Sequence, residues 1–431
     1  MSGRMIVAGA SLGGLRAAEQ LRAAGWTGGI TVIGDEPHPP YNRPPLSKEV
    51  LAGKAAFASL AFTPKASAAD VEWRLGTRIV SARLADRTLE LDDGAVLSYD
   101  GLVVATGMRP RRLRCPGPVA GRHTVRTIDD AQVLRDGLTR PGARVVVVGA
   151  GFIGCEVAAT AVGLGAAEVT VVDPLPLPMV GPLGELLARE LRRRHEERGV
   201  RFVLGAGVAG FEGGDHVTGV VLDDGSVLPA DVVVESVGSV ANTEWLEGNG
   251  LDLGDGVLTD AHLRVGGRPD VVAVGDVARF PNARYDGVPR RVEHWSVPTD
   301  SAKHAAKVLV GGDAGLAPFA PLPTFWSDQH DFRLQSFGAP VLGLGDVRVL
   351  DTDPSGDVLA GYHRDGLLVG VVALGGPSAA RAAARYRAEL LKQPALTPQE
   401  PSRDRTSWLF PSQDGDGRVV ADPLPAVALL R

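Results

Sequence analysis

At 431 residues the chain is longer than a single hydrophobic core usually grows, so two or three domains are expected. Its 44% hydrophobic and 22% charged content is that of an ordinary globular chain, and a formal net charge of -6 leaves no basic excess with which to bind nucleic acid. No apolar run approaches the ~20 residues that span a bilayer and no charged-then-apolar leader precedes the first strand, so the chain reads as cytoplasmic, with no membrane partner.

Apolar strand-like segments follow one another at Met5–Ala8, Ile30–Ile33, Leu102–Ala105, Arg144–Val148, Glu168–Val172, Asp231–Val234 and Val271–Val274. Helical patterns lie between several of them, at Leu15–Ala24 and Leu183–Arg198. The second carries Leu183, Leu186, Leu187 and Leu191 on one stripe, with the charged run RRRHEER as its solvated face. Near-continuous apolar strands alternating with helices predict parallel sheets covered on both faces. Past Phe337 the pattern changes to short strands (Val347–Leu350, Val358–Tyr362, Leu367–Ala373) and a helix around Ala379–Leu391, the signature of a small α+β domain. A Pro-, Asp- and Gly-rich tail follows and is expected to be loosely ordered. The two cysteines, Cys115 and Cys155, form no CxxC pair, so neither a metal cage nor a redox dithiol is expected.

Two strand-to-helix junctions are rich in glycine. In Gly149-Ala150-Gly151-Phe152-Ile153-Gly154, Gly149 makes the turn, Gly151 lets a pyrophosphate approach and Gly154 lets helix meet strand. Asp173 ends the next strand, where a carboxylate accepts from ribose hydroxyls. The first junction, Gly9-Ala10-Ser11-Leu12-Gly13-Gly14, has Ser11 in place of the middle glycine and Asp35-Glu36 at its acidic strand end. Two such turns mean two dinucleotides. The fold class is therefore α/β, with two Rossmann-like dinucleotide-binding domains and a small C-terminal α+β domain.

Five further stretches stand in order: YNRPPLSK (Tyr41–Lys48), LVVATGMRP (102–110), VVAVGDVARFPN (271–282), RVEHWSVPTDSAKHAAKVLVG (291–311) and FWSDQHDFRLQSFG (325–338). Together with the glycine turns they resemble the FAD-dependent NAD(P)H:ferredoxin and rubredoxin reductases of the putidaredoxin and rhodocoxin reductase type. The resemblance covers about residues 4 to 340. It implies an FAD-binding domain at 1–112 and 241–320, an NAD-binding domain at 113–240, a C-terminal domain at 321–392 and a tail at 393–431. It implies that Gly9, Ser11, Gly13 and Gly14 face the FAD pyrophosphate and Glu36 its ribose. Arg43 and Lys48 then lie along the flavin and its phosphates, Asp276 takes the ribityl chain, and Arg126, Glu293 and Trp295 are further FAD contacts. Gly149, Gly151, Gly154 and Asp173 fall to the nicotinamide dinucleotide, Gly238 is a further cofactor-binding residue, and Trp326 is either part of the nicotinamide pocket wall or core aromatic packing. Lys48 is further implied to pair with Glu156, a fixed cation beside the reduced ring.

The implied activity takes hydride from NADH and passes single electrons to a [2Fe-2S] ferredoxin that serves a cytochrome P450 or a ring-hydroxylating oxygenase. Asp173, with no basic residue before Arg189, opposes a 2′-phosphate, so NADH is expected over NADPH. An acidic ferredoxin is expected to dock on Arg284, Arg290 and Arg291, or on Arg109, Arg111 and Arg112, with the reductase a monomer or weak dimer. A disulfide reductase needs two cysteines beside the flavin, and an NADH oxidase needs one near residues 42–47; Asn42 and Ser47 stand there instead. A redox sensor that holds FAD and NADH in a charge-transfer complex keeps every motif and stays open as an alternative, as does an oxidase of the same fold by another route.

Overall fold

The computed structural model describes residues 3–352 and 356–396. They fall into two compact units. One comprises the described residues of Met1–Pro110, Ser239–Asp328 and Phe332–Ser402; the other comprises those of Arg111–Gly238 together with Gln329–Asp331.

In the first unit strand β1 (Arg4–Ala8) has Met5, Ile6, Val7 and Ala8 buried, as a central parallel strand covered on both faces requires. Helix α1 (Leu12–Ala23) leads to strand β2 (Gly29–Gly34), which runs parallel to β1 with Met5 opposite Ile30. Strands Gly101–Val104, Val271–Ala273 and Glu72–Leu75 complete a parallel sheet in the order 271–273, 101–104, β1, β2, 72–75. Ala17, Ala18 and Leu21 of α1 share a core with Ala302, Ala305 and Ala306 of helix Val297–Gly311; small residues on both let the helices come close over the sheet.

The second unit repeats the plan. Strand β3 (Arg144–Val148), helix α2 (Phe152–Gly163) and strand β4 (Glu168–Asp173) form the central crossover. The parallel sheet runs 200–204, β4, β3, 232–235, 122–123. Helix α3 (Val180–Glu196) starts earlier than the leucine stripe indicates and becomes regular only beyond Gly184, whose φ of 73° breaks the first turn. Inside this unit Arg122 Nε donates to Glu235 Oε1 at 2.6 Å, and its guanidinium lies 3.9 Å from the Phe211 ring centre. The pair is fully enclosed, so either partner alone would be an uncompensated buried charge.

The C-terminal segment forms a sheet in the order 324–329, 332–338, 367–375, 358–364, 347–352, antiparallel from 332–338 onward. It packs on Ala379, Ala383 and Leu390 and, apart from Gln329, belongs to the first unit. The helix expected over Ala379–Leu391 begins at Pro377 and is interrupted at Tyr386, whose amide bonds back only three residues, to Ala383. Of the described part of the expected tail, Leu396 is buried while Pro394 and Ala395 are exposed; 397–431 lie outside the described residues. No described helix is long and apolar enough to cross a membrane.

The observed α/β architecture is the one expected, and its tightest point is testable. A Cβ at Gly154 would stand 2.0 Å from the Gly149 carbonyl oxygen, whereas one at Gly163, in the same helix, would meet nothing within 4 Å. Gly154→Ala should cost about 2–3 kcal/mol of stability in chemical denaturation, while Gly163→Ala should be neutral or stabilise by roughly 0.5–1 kcal/mol.

Candidate functional site

β1 ends at Ala8 and the chain must enter α1 within three residues. Gly9 achieves this at φ 118°, and its missing Cβ would lie 2.2 Å from the Ala105 carbonyl oxygen on the neighbouring strand end. Gly14 is equally constrained, 1.8 Å from the Gly9 oxygen, whereas a Cβ at Gly13 would make an ordinary 3.7 Å contact. Ser11, the helix N-cap, has an extended backbone at negative φ that any residue adopts, which explains why serine is tolerated there. The second turn has the same construction. Gly149 sits at φ 104° with its Cβ position 2.2 Å from the Ser236 oxygen, and Gly151 is the N-cap at φ -81°. Neither α1 nor α2 has an acidic residue in its first turn, so the positive end of each dipole is unopposed. Two such cradles fit the pyrophosphates of two dinucleotides.

Around the first turn the side chains converge. Arg43 Nε donates to Ser11 Oγ at 3.2 Å, its Nη1 to the Tyr41 hydroxyl at 3.0 Å, and its Nη2 pairs with Glu36. Tyr41 in turn donates to Glu36 Oε2 at 2.6 Å. Burial by itself would lower the Arg43 pKa, but Glu36, Tyr41 and Asp276 hold it above its ordinary value. Glu36 therefore stands at the expected strand end already engaged with Arg43. Asn42 accepts from Trp295 Nε1 at 3.0 Å, and Trp295 meets Trp326 edge-on at 5.8 Å. Lys48 is half-buried beside Ser47, with Nζ 3.3 Å from its hydroxyl.

Asp276 lies in the short turn Gly275–Val277, directly after strand Val271–Ala273. The Gly275 amide donates to Ser301 Oγ at 3.0 Å. The carbonyl of Asp276 accepts from Arg291, and here a docking expectation is corrected. Arg291 is only 5% exposed and bonds Asp255 at 2.7 Å and Glu293 at 2.6 Å; flanked by two carboxylates inside the protein, it is not a docking cation. Arg290 is tied to the buried Asp286 at 2.8 Å, and Arg284 donates to the carbonyls of Leu391 and Ala320. Those three arginines do not form an exposed basic surface. Glu293 also accepts from Ser239 Oγ at 3.2 Å, so one carboxylate links two segments of the first unit.

In the second unit Asp173 accepts from the amides of Ala150 at 2.7 Å and Leu175 at 2.8 Å. Burial pushes its carboxyl above the ordinary range against the pull of those two bonds. It thus fastens the glycine turn to the end of β4. Gly238, at φ 96°, accepts from the Arg111 amide at 2.9 Å. Arg126 precedes the capping box of helix Ile128–Leu138, and its amide donates to Asp130 at 3.1 Å. Glu156 is buried in α2. Lys48 and Arg43 belong to the first unit, Glu156 and Arg126 to the second. Of the remaining arginines, Arg109 and Arg112 are exposed and Arg111 is half-buried; Arg109 is paired with Glu244. The free thiols are as bland as expected: Cys155 is buried against Ala150 and Cys115 lies 3.4 Å from the Val208 oxygen. Among the described residues no cluster suits a metal ion.

Sequence reasoning gave no site role to Tyr41, Asn42 or His294. His294 Nδ1 is buried without a partner, its ring is tilted on Phe325 at 5.3 Å, and burial lowers its pKa to about 4. A neutral imidazole with an orphan nitrogen beside Trp295 is the kind of group a bound heteroaromatic ring satisfies. Its only signal in the sequence is its place between Glu293 and Trp295.

Residues 3–302 match the pyridine nucleotide-disulphide oxidoreductase family, and residues 324–400 match the reductase C-terminal domain. The chain belongs to that family of oxidoreductases. Within it, the chain is 38% identical over 385 residues to the probable ferredoxin reductase CtmF of Castellaniella defragrans, covering 87% of this chain and 91% of that one. It is 37% identical to the ferredoxin–NAD(+) reductase component of the biphenyl dioxygenase system of Paraburkholderia xenovorans, covering 81% and 84%. In structure it is similar to putidaredoxin reductase as solved in a covalent complex with putidaredoxin, with a TM-score of 0.82, 32% identity and coverage of 90% and 93%.

The correction at Arg291 yields a test. Arg291→Met strands two carboxylates and should cost about 3 kcal/mol in chemical denaturation. The exposed Arg109→Met should cost below about 1 kcal/mol. Equal effects would mean that Arg291 is solvated after all.

Proposed function

We propose that the chain is an NADH-dependent ferredoxin reductase with FAD as its resident cofactor. It delivers single electrons to an acidic [2Fe-2S] ferredoxin serving a cytochrome P450 or ring-hydroxylating oxygenase. The observation that carries this reading is the duplicated strand–glycine–helix turn, one in each compact unit. The relatives named for ferredoxin reduction, and the absence of cysteine between Tyr41 and Lys48, direct that fold away from disulfide chemistry.

When bound, FAD supplies the conversion of a two-electron donor into single-electron transfers. The chain's own residues bind and orient. Arg43, anchored at the first turn, holds positive charge where phosphates belong, and Asp276 offers a carboxylate at the end of the parallel sheet. Lys48, in the first unit, supplies a fixed cation and Glu156, in the second, a carboxylate, while Trp295 and Trp326 form an aromatic wall. Glu293 belongs to the site of the first unit, and Gly238 and Arg126, in the second, are further cofactor-binding residues.

Asp173 at the end of β4 supports NADH, because a 2′-phosphate there would meet a carboxylate. The first arginine beyond it, Arg189, is held by Glu185 one helical turn away. With Arg291 buried, the exposed arginines near the start of the second unit, Arg112 foremost, are the better docking candidates. The protein acts as a monomer or weak dimer in the cytoplasm.

The purified protein should be yellow and should reduce cytochrome c through an added ferredoxin with NADH favoured over NADPH by roughly a hundredfold. Asp173→Asn, which keeps an acceptor for the Ala150 amide, should narrow that ratio about tenfold. A colourless protein would overturn the proposal. So would a protein that NADH reduces to a long-lived complex and ferredoxin fails to reoxidise, which would favour the sensor.

A further inference from the structure

Ser11 stands where the fingerprint ordinarily has glycine, and its surroundings give the replacement a purpose. As the N-cap of α1 it has the geometry to accept from an amide of the first turn, yet its side chain makes no such bond. Its Oγ instead accepts from Arg43 Nε, from a residue 32 positions away in sequence. The other edges of the Arg43 guanidinium are bound to Tyr41 and Glu36, and its carbon lies 4.9 Å from the Tyr41 ring centre. Tyr41 is itself buried and meets Phe57 edge-on at 5.5 Å. The cation is thus clamped on one side by a rigid aromatic and a carboxylate, and on the other by the turn itself. A glycine at position 11 would remove the Ser11 Oγ acceptor from this clamp.

We propose that Ser11 is a positioning residue: its hydroxyl pins the Arg43 guanidinium to the first glycine turn, so the cation is in place before the cofactor arrives. The inference rests on the reading of that turn as the FAD site. Two consequences favour binding. An arginine loses much rotamer freedom when it engages a phosphate, and a preformed anchor removes that cost from the binding step. By turning its hydroxyl toward Arg43, Ser11 also leaves the amides at the start of α1 available to the phosphate rather than capping them.

The test measures FAD release from the full chain by recovery of flavin fluorescence on dilution, for the wild type and for Ser11→Ala, Ser11→Gly and Ser11→Thr. Alanine and glycine should weaken FAD binding about fivefold to tenfold, the net size of one ordinary hydrogen bond, and threonine should restore it to within about twofold. In an Arg43→Met background Ser11→Ala should have no further effect, because the pair acts as one unit. The visible circular dichroism of the flavin reports whether the remaining site geometry is intact. Wild-type binding with Ser11→Gly as tight or tighter overturns the role of Ser11 alone, as does a full-sized alanine effect in the Arg43→Met background. A wild type that binds no FAD overturns the cofactor reading itself.

Discussion

A strand that runs into a helix across the last carbonyl of its neighbour leaves no room for a side chain at the turn. In this chain that constraint occurs twice with almost the same dimensions. The Cβ positions of Gly9 and Gly149 lie 2.2 Å from the carbonyls of Ala105 and Ser236, and those of Gly14 and Gly154 lie 1.8 and 2.0 Å from the glycine carbonyls behind them. Everything assigned to the two sites follows from it. Backbone packed this closely presents amides and a helix dipole rather than side chains, and that surface suits a pyrophosphate. The positions between the two fixed glycines carry no such restriction, so one turn uses Gly151 and the other Ser11.

Around the first turn the fold keeps two arginines inside the protein, and each is matched by acids rather than left to solvent. Arg43 faces Glu36 and the tyrosine hydroxyl; Arg291 faces Asp255 and Glu293. Groups of this kind add less to stability than their number indicates, because desolvation offsets most of the attraction. What they fix is position. Arg43 ties the 41–43 loop to the glycine turn, and Arg291 ties the Asp276 turn to the segment that carries His294 and Trp295. The second unit does the equivalent with a single carboxylate, Asp173, bonded to an amide of its own glycine turn.

Much of the fold was legible in the sequence because its signals are local. Runs such as Val145–Val148 are buried on both faces and read as apolar, and a glycine at positive φ, Gly9 or Gly149, marks the turn into each nucleotide-binding helix. The strands were placed to within about two residues for that reason. What depends on distant partners was not legible. Arg291 looks like any loop arginine until Asp255 and Glu293 close around it, so it was expected at the surface with Arg284 and Arg290 although it is buried. The kink at Gly184 and the break at Tyr386 lie inside stretches whose leucine and alanine pattern is uninterrupted. The antiparallel ribbons at Ile79–Ser98 and Val208–Pro229 were missed because their strands are short and mix buried residues with exposed ones, exposed Val96 and Val227 among them. Ser11 was visible as a departure, but its bond to Arg43 required the fold.

The central claim is that each compact unit holds its own dinucleotide. Binding stoichiometry tests it most directly: the flavin-bearing protein is titrated with NAD+ while bound flavin is monitored. One FAD and one NAD+ per chain held at the same time, with no flavin displaced as NAD+ saturates, is the result expected. Release of FAD by NAD+, or a single dinucleotide per chain under all conditions, would contradict it.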